Sequence, residues 1–558
     1  MFSPNMKIPA KIRLESPGFY LAFFAVVALG VYLRLDQFTL QVLLDDEWHV
    51  VHQLMAKPPK ELVQTFGRSD FSIPLALLYW VQLKLVGLSE FGMRWPMMLA
   101  GIAALLLFPL YVRQYFDDRV TLIFMLLLAL SPRLILYSRT ARPYALTLLL
   151  SILAVGLFQK FVEAEKPSFK IGLFYSICAA ASVWLHLISL PLVVAPFLVY
   201  GIPALIDRNR VRVKRLFWLG LITAAGLLAV VLPPMLGNPE SLSVRLGVQT
   251  PDLQSYYGML YVWTGTNSLS VVIIGVLFAG IGMGSVWRRL PLSGSLVTGL
   301  GLTLVGILLT EPAWVQNPRT LARYLLPAIP LFLLCVSLGI SSISDTMAQN
   351  WGTAGQTTSF TLILFMLLLM VYYSPLPKTL VKPNSNSLHS LYQFDYREEK
   401  NLIYQYQKDF PVSPFWQKLS ALPRDSIKIA ASPFSFETHH WDAARWEQIS
   451  HQRVMPGYIH GFCVTSWWGE VPRGQGYRFK NVGYLSDQSD LIDRGFDLVV
   501  YQKPKEVFTN QGKKVFGMKS AYCDPKLREN FPLPVYEDEW LVAFPLSENI
   551  RGQINAEW

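Results

Sequence analysis

The stretch Leu43-Leu44-Asp45-Asp46-Glu47-Trp48-His49 gathers three carboxylates and an imidazole side by side. No other part of the first hundred residues is so densely ionisable. A carboxylate near a membrane edge is costly to desolvate unless a cation or a proton-transfer task keeps it there. Such groups act as general bases or hold hard divalent cations. A solvated acidic loop would have the same composition, so the surrounding chain has to decide.

That surrounding chain is membrane-like. Of its 558 residues, 52% are hydrophobic and only 16% charged, with a mean hydropathy of +0.33. These values describe a polytopic membrane protein rather than a soluble globule. The net charge of +11 comes from basic residues that sit mostly beside apolar runs. This placement reads as membrane topology and gives no reason to invoke nucleic acid. Of the four cysteines, Cys178 and Cys335 lie within apolar runs and read as inert core, while Cys463 and Cys523 lie in polar sequence. No spacing among them suggests zinc. The first apolar run is long enough to span and no small-residue cleavage site comes after it, so it reads as an anchor rather than a cleaved signal.

The elements that must position the acids come in order. Lys7, Lys11 and Arg13 precede the first run, from Gly18 to about Phe38, which predicts a cytoplasmic N-terminus and puts Asp45, Asp46 and Glu47 outside. The apolar stretch from Ser72 to Gly87 is short and contains Gln82 and Lys84, so it reads as an interfacial segment or a short crossing. Full spans are expected near 95–113, 119–137, 144–162, 171–186, 188–206, 214–233, 270–287, 293–310, 322–341 and 358–374. The basic loop Asp207 to Arg215 and the pair Arg288-Arg289 fall inside only if the 72–87 stretch does not cross. The favoured topology therefore has about eleven crossings, in a range of about 11–13, with the N-terminus in and the C-terminus out.

Beyond Leu376 the composition changes. Pro375, Pro377 and Pro383 with Asn384-Ser385-Asn386-Ser387 make a linker. The expected division is a transmembrane domain over 1–375, with a first outer loop at 39–94, and an extracytoplasmic soluble α+β domain over 376–558. Strand-like runs appear at Ser426 to Ala431, Phe496 to Tyr501 and Trp540 to Phe544. A Cys463–Cys523 disulfide is chemically permitted outside the membrane. Trp416, Trp441, Trp446, Trp467 and Trp468 read mainly as the core of that domain, with sugar stacking the other role open to them. No internal repeat is visible, which weighs against inverted-repeat transporters.

With this topology several unusual side chains share the outer face. Arg68 and Asp70 join the acids in the first loop, and Arg94 stands in Glu90-Phe91-Gly92-Met93-Arg94-Trp95-Pro96. Tyr137-Ser138-Arg139-Thr140-Ala141-Arg142-Pro143-Tyr144 joins two spans, His186 ends another, and Leu321-Ala322-Arg323-Tyr324-Leu325-Leu326-Pro327 lies after an outer loop. Guanidinium is permanently charged and forks onto phosphate oxygens, so arginines at the membrane edge suit a phosphate at headgroup depth. Any one of them taken alone, Arg94 or Arg133 for example, is better accounted for by snorkelling to lipid headgroups, and His186 by a helix-end hydrogen bond. Their common face is what favours a site for an anionic lipid and a general base.

The order of these stretches carries a resemblance. After the Asp-Glu pair come Ile73-Pro74-Leu75, then Gly87-Leu88-Ser89-Glu90-Phe91-Gly92-Met93-Arg94-Trp95-Pro96. Ser138-Arg139-Thr140-Ala141-Arg142-Pro143-Tyr144-Ala145-Leu146 and Arg323-Tyr324-Leu325-Leu326-Pro327 come later. Over roughly residues 15–345 the chain resembles the protein-O-mannosyltransferase-like and aminoarabinose-transferase-like branch of the C-type membrane glycosyltransferases. It departs from them at Phe71-Ser72-Ile73-Pro74, where many relatives carry His or Asn and a double proline. The resemblance implies the C-type glycosyltransferase fold, a polyprenyl-phosphate-linked sugar as donor, and inverting transfer on the outer face of the cytoplasmic membrane. The acceptor it implies is a glycolipid, a polysaccharide or a protein. The family's first-loop acid falls on Asp46, with Asp45 the fallback, because the extra acid shifts the match by one. Arg142 and Arg323 are the expected holders of the leaving phosphate, with Arg94 and Arg68 behind them. Tyr144, Tyr324, His186 and Asp70 are expected to line the donor and acceptor pocket. Glu47 is expected to orient a neighbour or to join Asp46 in holding magnesium, manganese or calcium, which some relatives use and others do not.

Two other readings make different demands. A transporter or lipid flippase would place charges deep within several spans, whereas spans from 95 onwards keep theirs mostly at the ends. A catalytically dead scaffold has no need to retain Asp46 together with Arg142.

Overall fold

The computed structural model of the chain describes residues 17–36, 38, 47, 50, 53–54, 58–66, 72–86, 90–239, 246–266, 268–374, 376, 409–432, 442–455, 459–460, 483–484, 488–493, 495–509, 512–516, 528–531 and 533–557. The chain divides into two compact units, Met1–Asp36 with Arg94–Lys378, and Gln37–Met93 with Thr379–Trp558.

The N-terminal helices, in chain order, are α1 (Pro17–Leu35), α2 (Pro59–Val63), α3 (Ile73–Leu85), α4 (Glu90–Val112) and α5 (Asp118–Leu130). Next come α6 (Pro132–Ser138), α7 (Tyr144–Glu163), α8 (Phe169–Leu185), α9 (Leu190–Ile206) and α10 (Arg210–Gly237). The last five are α11 (Leu253–Thr264), α12 (Leu269–Arg289), α13 (Ser293–Thr310), α14 (Pro318–Tyr324) and α15 (Ala328–Tyr372). The chain is a polytopic helical membrane protein. Among the described residues, 8 helices are long and apolar enough to cross a membrane, and α5 with α6 makes a further path bent by 60°. Shorter apolar helices lie at Ile73–Gln82, Phe169–Leu185 and Ile363–Tyr372. The 13 residues of α3 rise about 20 Å, against about 30 Å of hydrocarbon, in keeping with a segment too short to cross upright.

Two features differ from the sequence reading. The stretch 119–137, expected as one span, is broken. Pro132 has no N–H and disfavours a helical Ser131, which takes φ −66 and ψ 112, so α5 stops and α6 restarts. The arms expected at 322–341 and 358–374 are both present, as the two helical arms of α15, which is kinked between them. Gly352 turns it, with φ 56 and ψ −133, a conformation side-chain-bearing residues avoid. Helix α11 falls in a stretch with no expected span, because its sequence is short and carries few aliphatic residues.

That unforeseen helix is a bracket. An Asp252/Ser255 capping box starts it, the Asp252 side chain accepting from Ser255 N at 2.7 Å. Ser255 Oγ donates to Gln316 O at 2.9 Å, and Gly258 packs so tightly on Pro318 that a Cβ there would collide with the proline ring. At the other end Gly265 ends α11 with φ +69, where a Cβ would lie 2.5 Å from Pro132 Cδ. One short helix thus seats the prolines that open α6 and α14.

Helices α1 and α4 run antiparallel. Arg113, just past α4, lies 3.7 Å over the Phe19 ring and donates to Asp118 at 2.8 Å and to Tyr20 at 3.2 Å. At this end Arg119 pairs with Asp345, and at the base of α10 Arg215 donates to Glu165 O at 2.9 Å. The other end of the bundle holds the C-terminus of α1 and the turn from Ser138 to Tyr144.

The C-terminal region contains α16 (Pro414–Leu419), β1 (Lys428–Ser432), α17 (Ala443–Ser450), β2 (Arg453–Met455), β3 (Ile459–His460) and β4 (Gly483–Tyr484). It continues with α18 (Gln488–Asp493), β5 (Leu498–Gln502), β6 (Lys505–Thr509), β7 (Gly512–Phe516), β8 (Tyr536–Glu537), β9 (Leu541–Pro545) and α19 (Glu548–Glu557). The five-stranded sheet has order β2-β1-β5-β9-β8, with β1 parallel to β2 and β5, and β9 antiparallel to β5 and β8. Its three longest strands fall within two residues of the expected runs. Trp416 and Trp446 stack with ring centres 4.8 Å apart and are buried against Ile429 and Val500, so both serve the core. Trp441, Trp467, Trp468, Cys463 and Cys523 lie outside the described residues. Cys335 is buried and Cys178 half-buried, and neither forms a disulfide.

Two measurements test these features. Gly265→Ala forces a left-handed alanine against Pro132 and should destabilise the chain by about 1–3 kcal/mol, measured by thermal melting in detergent. Gly156→Ala, with open space around it, should be neutral or stabilising. In the C-terminal domain, hydrogen bonds from Arg528 and Lys503 hold Glu537 at a pKa of about 2, against an ordinary 4.5. A depressed acid stabilises the fold above the unfolded pKa, and that contribution fades as pH falls from about 4.5 towards 2. Glu537→Gln should therefore lower stability at pH 7 and match wild type near pH 2, followed by the near-UV circular dichroism of the tryptophan stack.

Candidate active site

The end of the bundle that holds the Ser138 to Tyr144 turn is rich in buried arginine. Arg34, Arg94, Arg133, Arg139 and Arg142 all have under a tenth of their surface exposed. A guanidinium taken out of water has to recover its hydrogen bonds from carbonyls, hydroxyls, ring faces or anions. Arg133 lies 5.4 Å from the centre of the Tyr137 ring.

Two of these neighbourhoods meet at one oxygen. Arg142 is held by the tight turn in which its N–H donates to Thr140 O at 2.7 Å. Pro143 then opens α7, which places Tyr144 in the first turn. Arg323 arrives from α14, started by Pro318 and capped by Asn317, whose side chain accepts from Arg319 N. Arg142 Nη2 donates to the Tyr144 hydroxyl at 3.3 Å, and Arg323 Nη1 donates to the same oxygen at 2.9 Å. Their guanidinium carbons lie 5.7 and 5.3 Å from the Tyr144 ring centre. A phenol oxygen has two lone pairs and one proton. With both lone pairs receiving guanidinium N–H groups, its remaining chemistry is to donate. Two guanidinium groups and a hydroxyl proton converging on one spot are chemically suited to a multiply charged oxyanion such as phosphate.

Aromatic rings continue from this point. Tyr137 lies 4.8 Å from Tyr144, His186 lies 6.0 Å from Tyr144, and Tyr324 lies 6.3 Å from His186, centre to centre. His186 ends α8, and its Nδ1 accepts from Ile188 N at 3.3 Å. The neutral ring therefore carries its proton on Nε2. His186 fills the helix-end role and also stands in the ring row. A cavity of about 20 Å³ opens beside these groups, lined by Tyr144, Thr147, Ser151, His186, Thr303 and Arg323 among others. That is room for about one water. Thr147 Oγ1 is buried there with no hydrogen-bond partner among the described residues.

The structure thus brings together Arg142, Arg323, Tyr144, Tyr324 and His186. Arg94 is almost fully buried in the first turns of α4, and Glu47 is buried in the other compact unit. Asp45, Asp46, Arg68 and Asp70 lie outside the described residues. Among the described residues no group of three or more His, Cys, Asp and Glu side chains is placed to hold a metal ion. The sequence reading does not single out Arg34, which sits inside an apolar run. An arginine one turn before the end of a span was the available signal.

Comparison with known proteins bears on the same stretch. Residues 72–236 match the family model described as dolichyl-phosphate-mannose-protein mannosyltransferase. The match bears out the resemblance read from the motifs and takes in Arg94, Arg142, Tyr144 and His186, while Arg323 lies beyond it. No curated protein matches the sequence. Among solved structures, ArnT from Cupriavidus metallidurans in the apo state is similar at 11% identity and a TM-score of 0.47, covering 96% of this chain and 98% of that one. ArnT from the same organism bound to undecaprenyl phosphate gives 13% and 0.46, covering 96% and 99%. The Archaeoglobus fulgidus oligosaccharyltransferase in complex with Zn and sulfate gives 12% and 0.39, covering 86% and 68%.

Tyr144→Phe keeps the ring and removes the shared oxygen. It should cost about 1–3 kcal/mol, the usual penalty for orphaning buried donors. In an Arg323→Met background the penalty should shrink, because one of the two donors is gone. Additive melting shifts across that double-mutant cycle would mean that the two groups do not interact.

Proposed function

We propose that the chain is a membrane glycosyltransferase. It takes a sugar from a polyprenyl-phosphate-linked donor and passes it, with inversion, to an acceptor on the outer face of the cytoplasmic membrane. The observation that carries this reading is the convergence of Arg142 and Arg323 on the Tyr144 hydroxyl, two stretches 179 residues apart meeting at one oxygen. The mannosyltransferase family match over residues 72–236 supports the same class of donor.

In this mechanism the acceptor hydroxyl or amine attacks the anomeric carbon from the face opposite the phosphate. Asp46 takes the acceptor proton, with Asp45 the alternative base. The bond from the anomeric carbon to the phosphate oxygen breaks, and the electron pair leaves on the polyprenyl phosphate. Arg142 and Arg323, with Arg94 and Arg68 in support, hold the phosphate as its charge grows, and the Tyr144 hydroxyl donates to it. Charge stabilisation by donors already in place is the largest contribution such a site can make. Tyr324, His186 and Asp70 line the donor and acceptor pocket. Asp46 and Glu47 carry the hard oxygen donors that magnesium, manganese or calcium prefers, and a cation held there would share the charge of the phosphate.

The acceptor is a glycolipid, a polysaccharide or a protein. The orientation is supported by the arginines at the end remote from Tyr144, namely Arg113, Arg119 and Arg215, together with the basic run Arg208 to Arg215. An excess of this kind marks cytoplasmic loops, which puts the C-terminal domain outside in the proposed topology.

The test is transfer of radiolabelled sugar from a panel of polyprenyl-phosphate sugars in purified membranes, comparing wild type with Asp46→Asn. Transfer by wild type that falls at least about 100-fold in the variant, in line with loss of a general base, is the expected result. Full transfer by Asp46→Asn would shift the base to Asp45 or Glu47. No transfer by folded wild type from any donor, with candidate acceptors present, would overturn the enzyme reading.

A further inference from the structure

We infer that Arg34 and Arg139 are positioning residues for the proposed transfer, an inference that rests on that reading. They exchange guanidinium groups between the end of α1 and the α5–α6 break, and so clamp the turn that carries Arg142 and Tyr144.

The clamp originates in a missing proton. In an unbroken helix Leu128 O would accept from the N–H of residue 132, but residue 132 is proline. Ala129 O would accept from Arg133 N–H, which lies past the 60° bend. Arg34 faces both carbonyls, Nη2 reaching Leu128 O at 3.4 Å and Nη1 reaching Ala129 O at 3.5 Å. Nη1 also donates to Gly30 O at 2.8 Å, and Nε donates to Ser138 Oγ at 3.3 Å. Ser138 in turn donates to Leu134 O at 2.7 Å. One planar fork therefore touches its own helix, the last turn of α5 and the last turn of α6.

Arg139 makes the reverse contact. Its Nη1 donates to Asp36 O at 2.6 Å and Arg34 O at 3.1 Å, with Leu33 O at 3.5 Å. These are carbonyls at the end of α1, where helical partners run out. Each arginine thus satisfies the orphaned carbonyls of the other's segment.

The space for this exchange is built. A Cβ at Gly101 would collide with Ser138 Oγ and stand 3.5 Å from Arg34 Nε. A Cβ at Gly30 would collide with Leu105 and stand 3.5 Å from Arg34 Nη1. Only 2% of Arg34 is exposed, so it does not snorkel to headgroups.

The clamp bears on chemistry because the turn it holds carries the residues assigned to the phosphate. Three residues past Arg139 is Arg142, and two more bring Tyr144. Arg34 and Arg139 thus fix the root of that turn to the end of α1. An error of about 1 Å in such an alignment can lower a rate by about 100-fold. A lysine at 34 supplies a point charge and cannot span three segments at once.

The test uses the full chain in nanodiscs with Arg34→Ala and Arg34→Lys. Transfer kinetics with the active donor should show kcat lowered about 100-fold, with the donor KM within about 2-fold, the signature of lost alignment rather than lost binding. Added guanidinium should restore Arg34→Ala at least about 10-fold and leave Asp46→Asn unrescued. A second measurement needs no turnover. Amide exchange over 131–142 should quicken in Arg34→Ala and slow again with guanidinium. Wild-type kcat in Arg34→Ala would overturn the inference, as would a loss that guanidinium does not reverse or unchanged exchange over 131–142. If wild type transfers no sugar, the functional reading fails on its own account, and the exchange measurement decides whether the clamp exists.

Discussion

A guanidinium cannot be neutralised at any ordinary pH, so its burial in a membrane bundle forces the surroundings to supply oxygen. This constraint organises the first compact unit. Where helices end or break they expose carbonyls without partners, and Arg34 and Arg139 are found there. Arg34 takes the carbonyls released by Pro132, Arg139 takes those at the end of α1, and Arg142 and Arg323 share a phenol oxygen. The helix breaks and the arginines are parts of one solution. Each break creates acceptors that would be costly alone, and each arginine brings donors that would be costly alone.

The same logic separates two kinds of arginine at this end of the bundle. Arg34 and Arg139 face mainly backbone carbonyls, which are fixed and neutral, and so act on architecture. Arg142 and Arg323 converge on the Tyr144 hydroxyl, and in the proposed mechanism they are the pair that meets the phosphate. Electrostatic preorganisation depends on this second kind being held still by the first.

Much of this was legible in the sequence. Apolar runs gave most of the spans, because burial in lipid needs little beyond length and hydropathy. The strands of the C-terminal sheet announced themselves as short β-branched and aromatic runs, and β1, β5 and β9 fell where expected. Arg142, Tyr144 and Arg323 stood out because their stretches share the expected outer face and follow the order of the family motifs. The break at Pro132 is masked in the sequence, since the apolar run continues through it and hydropathy is blind to a missing N–H. Arg34 is hidden in the same way by the apolar company it keeps. Helix α11 has local start and stop signals in Asp252, Ser255 and Gly265 but not the hydropathy of a span, and its contacts with Pro132, Gln316 and Pro318 are tertiary. The acids of the first outer loop lie, apart from Glu47, beyond the described residues, so their role still rests on the motif order.

The glycines of α11 have a consequence for rigidity. Gly258 meets Pro318 and Gly265 meets Pro132, and neither glycine nor proline has side-chain rotamers to freeze on folding. A leucine-to-leucine contact would lose that freedom on forming and would leave alternative packings within reach. The joints between α11 and its two prolines are backbone-to-ring contacts with no room for a side chain. They set a distance in the way a mechanical stop does, without the compliance of an interlocking core.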